Sequence, residues 1–166
     1  MDFEGRLAVT PIDGLILAGG FYDGKRGLDT EKTPAANTAS RLDFLAAWKA
    51  SGLTVGLEWF SADKWNDVLN TGTTTKSDGT SLFASYDIPN TDFSVFGRAD
   101  TVKPTKDTHS DVKDEYYNIG FAWKTNRNLT WAVAYKSDKV TDNLKYDITS
   151  DTLKTDEIGV WIQVKY

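Results

Sequence analysis

The 166-residue sequence predicts an all-β fold: an antiparallel, up-and-down transmembrane β-barrel with about nine strands in this chain, by itself or as part of a larger barrel. Three observations carry that expectation. Apolar and polar residues alternate with a period of two through most of the chain. The breaks between these segments alternate strictly between short turns and long polar stretches. The final segment, Glu157 to Tyr166, alternates without interruption up to an aromatic residue. A bilayer accounts for all three, because a crossing strand shows apolar side chains to lipid and polar ones to an enclosed interior.

The strands follow in order. Phe3, Gly5, Leu7 and Val9 alternate with Glu4, Arg6, Ala8 and Thr10, and after Pro11-Ile12-Asp13-Gly14 come Leu15, Leu17, Gly19 and Phe21. Leu42, Phe44, Ala46 and Trp48 interleave with Arg41, Asp43, Leu45, Ala47 and Lys49. Past Ala50-Ser51-Gly52, Leu53, Val55, Leu57 and Trp59 oppose Thr54, Gly56, Glu58 and Phe60. Leu82, Ala84, Tyr86 and Ile88 lead into a turn at Pro89–Asp92, after which Phe93, Val95, Gly97 and Ala99 oppose Ser94, Phe96, Arg98 and Asp100. Tyr117, Ile119, Phe121 and Trp123 reach the turn Thr125–Asn128, and Leu129, Trp131, Val133 and Tyr135 then oppose Thr130, Ala132, Ala134 and Lys136. Segments of this length suit a tilted strand crossing a bilayer.

The loops have their own phase. Short turns at 11–14, 50–52, 89–92 and 125–128 separate long polar segments at 23–39, 62–80, 102–114 and 140–156. Outer-membrane barrels sort their connections this way, with short periplasmic turns and long external loops. A soluble up-and-down barrel has no reason to do so.

Composition narrows the alternatives. The net charge of -5 and pI near 4.8 give no electrostatic reason to expect nucleic-acid binding. Mean hydropathy is -0.43 and no run of 18 apolar residues exists, which excludes a helical membrane span but not a barrel. The absence of cysteine excludes disulfides and thiolate metal sites. No basic stretch followed by an apolar one opens the sequence, so no signal peptide is expected within it.

Alternation alone leaves the facing open, because a soluble ligand-binding barrel points its apolar side chains inward. The apolar faces named above carry no charge, while the opposite faces mix charges with small residues. Aromatics on the apolar face gather near strand ends: Trp48, Trp123 and Tyr166 by the short turns, Phe21, Trp59, Tyr117 and Tyr135 by the long loops. Two such bands match the two interfaces of a bilayer. The whole chain is therefore expected to be one transmembrane barrel domain, 1–166, facing lipid with its apolar side.

Thr10–Leu15, Ser94–Asp100, Tyr117–Lys124 and Val160–Tyr166 resemble the carboxyl-terminal part of Gram-negative outer-membrane porins. The resemblance implies a place in the bacterial outer membrane, among lipid and lipopolysaccharide, and passive transport of small hydrophilic solutes or ions. It also implies an assembly signal read by the barrel-assembly machinery, carried here by Tyr166 with Ile162 and Val164. A homo-oligomer is a further implied partner. Nine antiparallel strands leave the first and last pointing the same way, whereas bacterial barrels have even strand numbers. A partial porin barrel is therefore expected, unless the true count differs by one.

No catalytic constellation emerges, and neither a cofactor nor a metal site is expected. His109 stands beside Asp107 and Asp111 in a polar loop, too few ligands for a metal. Gly19–Arg26 approaches a phosphate-binding loop, but Arg26 stands where Ser or Thr should be and no helix pattern follows. The functional candidates are charges with inward parity, Glu4 with Arg6, Arg41, Asp43, Lys49, Glu58, Asp87, Arg98, Asp100, Lys124, Lys136, Glu157 and Lys165. In a wide barrel they line a pore and set ion preference. In a narrow one they pair and fill the interior, leaving a closed barrel that serves membrane integrity, adhesion or scaffolding.

Overall fold

The computed structural model describes residues 1–28, 35, 37–65, 68–69, 75–106, 112–142 and 151–165. His109, its neighbours Asp107 and Asp111, and the terminal Tyr166 lie outside these residues. Nine strands follow one another in space as in sequence: β1 (Phe3–Ile12), β2 (Leu15–Gly24), β3 (Ala39–Ala50), β4 (Leu53–Asp63), β5 (Lys76–Asp87), β6 (Phe93–Lys103), β7 (Lys113–Asn126), β8 (Leu129–Asp142) and β9 (Asp151–Val164). Each pairs antiparallel with its neighbour in a single sheet. The expected all-β, up-and-down architecture is what the chain adopts.

The short connections are built tightly. Ser51 and Gly52 both have positive φ, 49° and 81°, the pair a two-residue hairpin turn needs to match strand twist. All four short turns then use the same fastening. The carbonyls of Gly14, Gly52, Asp92 and Asn128 accept the backbone N–H of Lys49, Asp87, Lys124 and Lys165, each from the next neighbouring strand end, at 2.8–2.9 Å. The turn end of the sheet is thereby locked from β2 to the end of β9.

The strands overrun the boundaries read from the sequence at the opposite end. β5 begins at Lys76 and β7 at Lys113, β8 continues to Asp142 and β9 begins at Asp151. Polar residues keep pairing there because the ladder satisfies backbone N–H and C=O groups whatever the side chain is. Lys139 faces Lys154, for example, inside the β8–β9 ladder.

Among the described residues no second layer packs on this sheet. Among the described residues, the buried apolar side chains are only Ala18, Ala35, Ala39, Ala62, Val68 and Ala134. Leu57, Leu82, Val160 and Ile119 are 52–66% exposed on the apolar face. A continuous apolar face of this size is not tolerated in water, where patches beyond a few hundred Å² mark a partner surface or a membrane. Lipid is the partner that can cover a whole sheet face. Ala35, Ala39 and Val68 form the buried cluster, with Tyr22 and Trp65 packed against it where two long connections meet.

The sheet stays open, since β1 and β9 make no contact with each other.

Candidate functional site

The register fixes which side chains share a wall. Reading across the ladders, Ala47, Gly56, Phe83, Arg98, Asn118, Lys136 and Glu157 lie in one row of the polar face. Leu45, Glu58, Ser81, Asp100, Tyr116 and Asp138 lie in the adjacent row. Because side chains alternate along every strand, every charge selected from the sequence up to Glu157 falls on this same face.

The charges divide into two groups. Toward β1, Glu4, Arg6, Arg41 and Asp43 line a cavity of about 550 Å³ together with Tyr22 and Trp65. Arg41 also borders a smaller cavity of about 130 Å³ with Glu58, Arg98 and Asp100. Arg98 Nε donates to both carboxylate oxygens of Asp100 at 2.8 Å. The Arg41 guanidinium lies 4.9 Å from the centre of the Phe60 ring and 5.6 Å from that of Trp65. Gly20 leaves room for this crowding, because a Cβ there would meet the Asp43 carboxylate at 2.9 Å.

The second group lies toward β9 and the turns. Lys136 Nζ contacts Glu157 at 3.3 Å and sits 4.5 Å from the Trp161 ring centre. Lys124 approaches Asp87 at 3.7 Å. Lys49 and Lys165 stand apart at the turn end, where their backbone N–H groups hold the turns. The pairs are partly solvent-facing: the side chains of Arg98, Lys124, Asp87 and Glu157 are 49–61% exposed, those of Asp100 and Lys136 19% and 28%. Such pairs shape local potential more than they add stability.

The contacts made by aromatic residues on the polar face escaped the sequence reading. A Cβ at Gly56, Gly79 or Gly120 would run into the ring of Phe83, Phe60 or Phe96. Each ring therefore covers bare backbone on the neighbouring strand, and Trp161 covers Gly159 of its own strand. The signal was present as isolated glycines in strands, but it becomes readable only once the register is known.

The apolar face carries the two aromatic bands. Phe44 stacks on Trp59 at 6.0 Å, and Tyr117 lies 5.9 Å from Tyr135 on the long-loop side. On the turn side Trp123 meets Phe93, and Phe93 meets Phe121 at 5.0 Å. Phe21, Trp48, Trp59, Tyr117 and Trp123 are all exposed, while Tyr135 is half-buried. Trp131 and Phe93 also belong to the turn-side band, next to the turns that begin or end their strands. Ile162 and Val164 continue the apolar face of β9 at 55% and 63% exposure.

Comparisons with known proteins agree with this architecture. No family model and no curated protein sequence matches the chain. Its fold is similar to two solved structures of OmpT, an outer membrane protein of Vibrio cholerae. The in-vitro folded form aligns with a TM-score of 0.70 at 16% identity, over 97% of this chain and 54% of that one. The outer-membrane expressed form aligns at 0.66 and 14% identity, over 98% and 55%. This chain thus spans about half the length of the structures it matches. The architecture is that of a bacterial outer-membrane β-barrel. In a barrel of this kind the apolar face is the lipid side and the charged face the interior.

Proposed function

We propose that this chain forms part of the wall of a porin-type channel in the bacterial outer membrane, passing small hydrophilic solutes or ions by diffusion without catalysis. The carrying observation is the charged face itself. Arg6, Arg41, Asp43, Glu58, Arg98 and Asp100 gather around two adjoining cavities, with Arg6 and Arg98 exposed and the other four half-buried. Charged rings of this kind set ion preference where a pore narrows. Tyr166, with Ile162 and Val164 before it, is read as the signal for the barrel-assembly machinery, and a homo-oligomer fits the same reading.

The open sheet argues against a closed barrel of these nine strands alone. β1 and β9 both run from the long-loop end to the turn end. Antiparallel closure therefore takes an odd number of further strands, since unpaired backbone groups in hydrocarbon cost several kcal/mol each. A closed nine-stranded barrel would need a parallel seam, and the two edges are not in contact.

Planar-bilayer recording of the full-length protein tests the channel. Stepwise conductance is expected, with ion selectivity shifted toward cations by Arg98→Glu. Silence from protein shown to be folded and inserted would overturn the channel and leave the closed barrel of structural role.

A further inference from the structure

The cavity toward β1 carries a charge pattern that ion passage alone does not require. Across the first three strands, Glu4, Tyr22 and Arg41 form one rank of the polar face, and Arg6, Gly20 and Asp43 form the next. Opposite charges thus alternate at the four corners of a rectangle, whose backbone positions lie about 7 Å apart along a strand and about 10 Å apart across the sheet. Gly20 leaves the middle of the second rank without a side chain. Asp43 leans over that gap, since a Cβ at Gly20 would meet both of its carboxylate oxygens at 2.9 Å. Tyr22 and Trp65 complete the wall of this cavity of about 550 Å³.

The four charges do not neutralise one another. Elsewhere in the sheet, opposite charges two residues apart on a strand close into pairs: Arg98 with Asp100, Lys113 with Glu115, and Lys154 with Asp156, at 2.6–2.9 Å. Glu4 and Arg6 have the same spacing, as do Arg41 and Asp43, yet among the described residues none of the four forms an ion pair. For Arg41 the cause is visible. Its guanidinium is held 4.9 Å from the centre of the Phe60 ring and 5.6 Å from that of Trp65. Trp65 is in turn fixed edge-on against Tyr22, with its carbonyl accepting from Arg26. Arg41 and Asp43 are half-buried, and a partly desolvated charge without a partner costs free energy until a complementary group arrives. A lone anion would gain two guanidinium groups but meet two carboxylates, and a lone cation the reverse. Only a solute carrying both charges satisfies the whole pattern.

We propose that this cavity binds short peptides with free termini, the carboxylate against the guanidinium groups of Arg6 and Arg41 and the ammonium against the carboxylates of Glu4 and Asp43. An extended dipeptide spans about 7 Å at about 3.5 Å per residue, which matches the spacing of opposite charges along β1 or β3. The volume of about 550 Å³ falls within the range of about 300–1,000 Å³ typical of small-molecule sites. The rings of Tyr22 and Trp65 offer apolar surface to a side chain of the peptide. This rests on the channel reading above and names its solute class, with passage through a saturable site on the wall.

Equilibrium dialysis of the full-length protein, folded in detergent, against radiolabelled dialanine tests the site. Saturable binding is expected. N-acetyl-dialanine, which lacks the ammonium, and dialanine amide, which lacks the carboxylate, should each compete about tenfold more weakly than dialanine, the share of one hydrogen-bonded charge. Arg41→Gln and Asp43→Asn should each weaken binding by about the same factor, Arg41→Lys should weaken it less, and Arg127→Gln in a distant turn should change nothing. Equal competition by the capped peptides, or undiminished binding by the double variant Arg41→Gln with Asp43→Asn, would overturn the site. Heat-sensitive migration on gels separates misfolding from lost binding, and the capped-peptide comparison needs no variant at all. Planar-bilayer recording distinguishes the two readings. Stepwise conductance from protein that binds no dialanine removes the site and leaves the channel, whereas dialanine binding by protein that never conducts removes the channel instead.

Discussion

Val133 and Val68 are the same residue in two different solvents. Val133, on the apolar face of β8, is 45% exposed and touches no second layer. Val68, between β4 and β5, is 1% exposed and lies with Ala35 and Ala39 beneath Tyr22 and Trp65. The sheet has no interior of its own and must borrow one from lipid on one side and solvated charge on the other. The loop cluster carries a small protein-like core that needs no bilayer. Perturbing the two regions should therefore give responses that differ in kind.

The largest effect is expected on the sheet. Val133 sits about midway up the estimated apolar height, between Trp131 and Tyr135. Val133→Arg should destabilise the inserted protein by about 2–4 kcal/mol, the penalty for a basic group near the midplane of a barrel's lipid face. Its neighbour Ala132 points to the interior, and Ala132→Arg should cost less than about 1 kcal/mol. Ala134 is a poorer comparison, because that inward residue is 3% exposed and has no room to grow. Urea unfolding in vesicles measures both variants. Equal losses would mean that the facing assigned to the sheet is wrong.

That facing was legible in the sequence because a period of two needs no tertiary knowledge. Leu53, Val55, Leu57 and Trp59 fall on one side wherever the strand is placed, and the two-residue turn at Ser51-Gly52 fixes its partner. What stayed hidden depends on neighbours in space. The covering of Gly56 by Phe83 needs the β4–β5 register, and polar ladder ends such as Lys139 opposite Lys154 look like loop in a linear reading. Parity puts the selected charges on one face, but it does not tell that Arg41 meets Trp65, a residue from the connection after β4. Loops have no period, so nothing in the sequence could place that indole.

Trp65 is the means to break the second region. Its ring lies edge-on to Tyr22 at 5.2 Å and under the Arg26 guanidinium at 4.9 Å, and its backbone carbonyl accepts from Arg26 as well. Trp65→Ala removes one aromatic pair and the cation–π contacts, together about 2 kcal/mol. The loss should remain local. Hydrogen exchange at the Asn37 amide, which donates to the Val68 carbonyl at 3.0 Å, should quicken by more than tenfold, while the unfolding midpoint of the sheet stays within error. A matched fall in both would show that loops and sheet are one cooperative unit.

The smallest effect separates the cluster's edge from its core. The Asp2 carboxylate accepts the backbone N–H groups of Lys25 at 2.7 Å and Gly27 at 2.8 Å, tying the start of the chain to the first long connection. Those two donors hold its pKa below the ordinary 3.8. A carboxylate whose folded pKa is depressed contributes its stability above the ordinary value and loses it as pH falls through the folded one. The tie should hold unchanged at neutral pH, weaken only below about pH 4 and leave the Asn37 amide unaffected. Amide shifts of Lys25 and Gly27 followed during acid titration should move together with one midpoint under 3.8, and Asp2→Asn should flatten both curves. A midpoint above the ordinary value would mean that the carboxylate faces free solvent, and the first strand would then enter the membrane without that anchor.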